Sequence, residues 1–103
     1  MNFFHKALPS IVKPLQELRV VEGKLAKFEA SVEGIPLPNA IWRKDGVDLE
    51  SNPNFNFERS DNLFICNIVK TDRKDAGLYL LSCTNEAGSV ECSARLVVDG
   101  KYT

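Results

Sequence analysis

The chain has 103 residues, of which 44% are apolar and 26% charged. That suffices for one domain with one core, burying roughly 60–70% of the surface an unfolded chain exposes, and it argues against disorder. With 13 basic and 14 acidic residues the net charge is −1; no clustered basic face suggests nucleic acid, and no apolar run approaches the ~20 residues of a membrane span.

The opening "MNFFHKALPS" lacks the apolar core of a secretory signal. Residues 1–8 and 100–103 read as linkers around one domain at 9–99. "SIVKPLQELRVVEG" reads as an extended edge strand broken at Pro14, which cannot donate to a ladder. "AKFEASVE" alternates strictly: Ala26, Phe28, Ala30 and Val32 on one face, Lys27, Glu29, Ser31 and Glu33 on the other. Period two marks a half-buried antiparallel strand. "EGIPLPN" is a stiff loop, since Pro36 and Pro38 exclude a helix. "AIWRKDG" is a strand ending in a turn at Asp45-Gly46, and "VDLE" is a short strand or loop.

A strand follows around Phe55 and Phe57, then a turn, then "LFICNIV". Its register is ambiguous: counting back from Asp75 favours Cys66 and Ile68 as inward, with Leu63 and Ile65 as the rival set. "KTDRKDAG" is a polar connection, "LYLLSCT" a strand, "NEAG" a hairpin loop and "SVECSARLVV" the last strand. Seven or eight antiparallel strands and no helix predict an all-β sandwich or barrel.

Chemistry finds little footing. His5, the only histidine, falls in the expected linker, so no nucleophile–histidine pair can be built. Glycines are scattered without a phosphate-binding loop, and the carboxylate pairs Asp45/Asp48 and Asp72/Asp75 fall in turns. The cysteines Cys66, Cys83 and Cys92 contain no C-x-x-C, which argues against zinc. No catalytic residue, cofactor or metal is expected. Three sparse cysteines and no Asn-X-Ser/Thr acceptor point to a reducing, cytoplasmic setting.

Several motifs stand together: "G-x-P-x-P" at Gly34 to Pro38, "W-x-K-D-G" at Trp42 to Gly46, "D-A-G-x-Y" at Asp75 to Tyr79, and "N-x-x-G" at Asn85 to Gly88. The pattern resembles the immunoglobulin I-set domains of the giant sarcomeric proteins titin, twitchin and obscurin. The resemblance implies a β-sandwich with a buried tryptophan and a corner tyrosine. Its strands fall at 10–21 (A and A′), 24–33 (B), 39–44 (C), around residue 55 (D), 63–69 (E), 78–84 (F) and 89–98 (G). It implies that Tyr79 buries its ring and donates its hydroxyl to backbone upstream. In this family Asp75 often pairs with an arginine at the start of D, where this chain has Asn54. The usual B–F disulfide falls on Ala30 and Leu81, so it cannot form. Losing such a bridge costs about 2–5 kcal/mol, and Leu81 beside Trp42 and opposite Ala30 is the expected apolar substitute. The structural core is thus Trp42, Leu81, Ala30, Tyr79 and Asp75.

Cys83 and Cys92 should both face inward, diagonally across the F–G hairpin, as buried thiols or a redox-sensitive pair. With Trp42 and Leu81 inward, Ile41, Arg43, Leu80, Ser82, Arg95 and Val97 face out. An apolar spot among arginine and serine is a candidate protein-binding face, and strand G is a candidate edge for strand addition.

The expected function is a non-catalytic spacer and docking module of a larger muscle or cytoskeletal protein. The expected setting is cytoplasmic, at the sarcomere, as a monomeric module with protein partners and neither nucleic acid nor membrane. The alternative is an extracellular adhesion or receptor domain, a class that normally keeps the B–F disulfide.

Overall fold

The computed structural model describes residues 5–101. Among these described residues nine strands run in chain order: β1 (Ala7–Lys13), β2 (Leu18–Val21), β3 (Ala26–Ile35), β4 (Asn39–Lys44), β5 (Val47–Asp48), β6 (Phe55–Ser60), β7 (Leu63–Ile68), β8 (Gly77–Asn85) and β9 (Gly88–Asp99). They form two sheets, β1-β3-β7-β6 and β2-β9-β8-β4-β5. The two sheets pack as the expected immunoglobulin-like sandwich.

Three details differ from the expectation. One pairing is parallel: Leu18 to Val21 of β2 run alongside Leu96 to Asp99 of β9. The chain pairs β1 antiparallel to β3, then crosses to the other sheet around Pro14 without reversing, so it meets β9 running the same way. A single 3-10 turn, Arg73–Asp75, occupies part of the polar connection, capped by Asp72. Finally, β1 begins at Ala7, so Ala7 and Leu8 lie in a sheet and not in a linker. The rest of the expected N-terminal linker falls partly at residues 1–4, outside the described residues, as do residues 102–103 at the other end.

The alternation read in β3 holds: Ala26, Phe28, Ala30 and Val32 are all buried. In β7 the open register resolves to Phe64, Cys66 and Ile68 inward. Ile65 is buried too, on the opposite face, where its register partners are Glu29 and Glu58, side chains with aliphatic stems. Phe28, Phe64, Ile68, Tyr79, Leu81 and Leu96 are the largest fully buried apolar side chains. Each contributes about 1.5–3 kcal/mol through burial.

Turns follow local chemistry. Asp45 (φ 49°) and Gly46 (φ 83°) join β4 to β5 in a two-residue turn with both residues left-handed, the geometry that favours Asp-Gly. The Leu78 N–H donates to Asp45 Oδ1 at 3.0 Å, tying this turn to β8 and holding the carboxyl below its usual range. A side chain at Gly77 (φ 154°) would collide with that same carboxylate. At the other end of β8, Asn85 Oδ1 accepts from the Ala87 and Gly88 N–H groups. Its Nδ2 donates to Ala7 O and Pro36 O, at 2.8 and 3.0 Å, clipping β1 to the hairpin.

Candidate functional site

The inner layer explains how the outer face is presented. Trp42 of β4 and Leu81 of β8 are direct cross-strand partners, and Leu81 is in turn opposite Cys92 of β9. All three face the core, which Ala30 enters from the other sheet. Leu81 is 1% exposed. Apolar packing therefore occupies the positions where a disulfide would have joined the sheets.

Tyr79 is fully buried, tilted against Phe28 with ring centroids 4.9 Å apart, and its hydroxyl donates to Asp75 O at 2.7 Å. Burial pushes its ionisation well above the ordinary value. Asp75 is buried but bonds locally: its Oδ2 accepts the Asp72 N–H at 2.8 Å, completing the cap of the 3-10 turn. Asn54, at the arginine's usual place, donates its backbone N–H to Asn52 Oδ1 and lies exposed.

The three cysteines are free thiols. Cys83 pairs with Val90 and Cys92 with Leu81, so the two are diagonal neighbours on the inward face. Burial raises the Cys66 thiol to about 12 and the Cys83 thiol to about 11. Cys92 is only half-buried; burial raises it as well, and a backbone hydrogen bond at Leu15 partly offsets that. Raised values make poor nucleophiles.

On the outer face the register brings most of the expected residues together. Ile41 lies opposite Ser82, and Arg43 opposite Leu80, so the two apolar side chains are diagonal neighbours across β4 and β8. Ile41 is 41% exposed and Leu80 half-buried. Arg95 pairs with Leu78, the next outward residue of β8. Leu78 is exposed and extends the apolar spot; the outward alternation of "LYLLSCT" already contained it. Val97 continues the same row: it stands two residues beyond Arg95, diagonal to Leu78, with Arg19 of β2 as its own ladder partner. Strand β9 is also less open than expected: β2 covers Leu96 to Asp99, so only the stretch from Gly88 to Arg95 lacks a strand on that flank.

Among the described residues no cluster of three or more His, Cys, Asp or Glu side chains is placed to hold a metal, and no helix is long and apolar enough to cross a membrane.

The model of the immunoglobulin I-set domain matches residues 9–98. Palladin of Rattus norvegicus is 35% identical over 96 residues, 91% of this chain, and myotilin of Homo sapiens 31% over 99 residues, 94% of it. The chain spans only 16% and 20% of those two relatives. Among solved structures, titin domain M7 superposes with a TM-score of 0.88 at 36% identity, covering 92% of this chain and 97% of that one. The titin domains Z1Z2, solved in complex with telethonin, give a TM-score of 0.90 at 29% identity, covering 94% and 49%.

Proposed function

The chain belongs to the immunoglobulin I-set family, and from that membership we propose a non-catalytic spacer and protein-docking module within a larger muscle protein. Its relatives palladin, myotilin and titin are sarcomeric and cytoskeletal proteins, and that kinship sets its working location in the cytoplasm, at the sarcomere. The observation that carries the docking role is the outer face of the five-stranded sheet. Ile41, Leu78 and Leu80 form an apolar spot rimmed by Arg43, Ser82 and Arg95, the composition of a contact site on a soluble domain. A structural relative, titin Z1Z2, was solved with a protein partner, telethonin, which supports proteins as the partner class here. The parallel β2–β9 ladder supports the spacer role: a pull along the chain would load its backbone hydrogen bonds in shear, together.

The test is localisation of the tagged chain in striated muscle cells, beside a variant carrying Leu78→Ser and Leu80→Ser. A sarcomeric band lost in the variant is the expected result. A band that survives the double change moves docking off this face, and diffuse signal from the parent chain removes the docking role.

A further inference from the structure

We infer that the groove between the open edges of the two sheets is a second docking site. Its occupant is an extended peptide segment with an aliphatic side chain flanked by lysine or arginine. This rests on the reading of the domain as a protein-docking module; the groove adjoins the outer face, sharing Ile41 with it but not Leu78 or Leu80. Strands β5 and β6 are the outermost strands of their sheets on the side where the sandwich gapes. The gap holds about 460 Å³, within the size range of ligand clefts.

Its inner wall is aromatic. Trp42 and Phe57 stack there with centroids 6.2 Å apart and planes 20° apart, beside Phe64. Trp42 is 6% exposed. The rim is acidic: Asp48 and Glu50 on the β5 side, Glu58 on β6. Among the described residues none of these carboxylates has a Lys or Arg nitrogen within ion-pair distance. Their hydrogen bonds are neutral ones, from Glu50 N to Asp48 and from Asn67 Nδ2 to Glu58. Arg59 also lines the groove and offsets one of the three carboxylate charges, but it pairs with none of them. Its Nη2 donates to Pro38 O, and its guanidinium lies 4.6 Å over the Phe64 ring.

An aromatic hollow whose lining carries three carboxylates against one guanidinium, none of those carboxylates ion-paired among the described residues, matches an apolar side chain flanked by cations. Among the described residues the flank of β6 away from β7 has no strand partner, which favours an extended occupant that runs along it. Acidic residues on an edge strand also discourage pairing with other chains. That duty alone needs no aromatic cleft behind the charges.

Trp42 is the only tryptophan, so its fluorescence reports on the groove directly. The probes are acetyl-Lys-Val-Lys-Leu-Lys-amide and its counterpart with every lysine replaced by glutamate. The expected result is a saturable fluorescence change with the cationic peptide, weakened by salt, and none with the acidic one. The double change Glu50→Lys and Glu58→Lys, at exposed positions, should weaken binding about ten-fold or more, with unchanged circular dichroism. Leu80→Asp, on the outer face, should leave it intact. No saturable change at millimolar peptide, equal binding of the two peptides, or no loss in the double variant would overturn the inference. So would a loss caused by Leu80→Asp alone. Diffuse localisation in muscle with groove binding intact would remove the sarcomeric reading and leave the groove standing.

Discussion

Truncating Leu81 to alanine tests the claim that apolar packing replaces the inter-sheet bridge. The change removes three carbons from a side chain that is 1% exposed. At ~0.8 kcal/mol per methylene the transfer loss alone is about 2.4 kcal/mol. Trp42 and Cys92, the ladder neighbours of Leu81 on either side of β8, are held in register with it, so the wall cannot close freely and a cavity cost adds to the loss. The expected total is about 3–4 kcal/mol, inside the usual ~2–5 kcal/mol for Leu→Ala in a core. For a domain of this size that lowers Tm by about 12–30 °C. Urea denaturation should show the loss in the midpoint with little change in slope. The decisive companion is Ala30→Leu. Alone it overpacks the core and costs about 1–3 kcal/mol. Combined with Leu81→Ala it should return volume to the same seam, giving a favourable coupling above ~1 kcal/mol. A loss below ~1 kcal/mol for Leu81→Ala, or strict additivity of the pair, would refute the reasoning.

Tyr79→Phe should cost about 1–3 kcal/mol, because it strands the buried Asp75 carbonyl that the hydroxyl satisfies; a neutral result in urea melts would mean that water replaces the bond. Denatured without reductant, the chain should titrate three thiols with a chromogenic disulfide, since all three are free; a missing pair would reopen the extracellular alternative. In the folded protein at pH 8, Cys92 should react first. Cys66 should be slowest, because a thiol raised from 9.0 to about 12 holds roughly a thousandfold less thiolate; mass mapping of the modified peptides reads the order. The carboxyls of Asp45 and Asp99 are held below their ordinary 3.8, by the Leu78 N–H and by Arg19 respectively. A depressed folded value adds stability above the unfolded value and loses it as pH falls through the folded one. Stability should therefore drop as pH falls below about 4. Asp45→Asn, which keeps an acceptor for Leu78 and tolerates positive φ, should flatten part of that acid slope; an unchanged slope in urea midpoints would contradict the assignment.

Legibility followed the range over which the physics acts. Strand β3 was readable because alternation is local: each inward residue sits two positions from the next. The Asp45-Gly46 turn was readable because left-handed backbone restricts residue choice at the turn itself. The start of β1 was not. Ala7 and Leu8 look like linker because what orders them comes from far along the chain: Ile35 across the ladder, the Asn85 amide, and Gly88 beneath the Leu8 side chain. The parallel β2–β9 pairing hides for the same reason, with a partner 78 residues away. Alternation told which side chains leave the sheet but not which of them meet. Ile41 and Leu80 proved neighbours through register, and Val97, diagonal to Leu78, proved to continue their row where β2 joins β9.

The groove was invisible for a further reason. Asp48, Glu50 and Glu58 belong to segments that never pair with each other: Asp48 lies opposite Arg43 on one sheet, and Glu58 opposite Ile65 on the other. Only stacking the sheets sets them on a common rim. Trp42 connects this feature to the missing bridge. Its position in the ladder packs it against Leu81 in the seam, and its stack on Phe57 makes the wall of the groove. A cavity left by Leu81→Ala would loosen the ring that both roles share. That variant should therefore shift Trp42 fluorescence and weaken the cationic peptide at temperatures where it is still folded. Glu50→Lys with Glu58→Lys should weaken the peptide while leaving the melting temperature nearly unchanged. Stability and recognition separate at the rim and converge at the tryptophan.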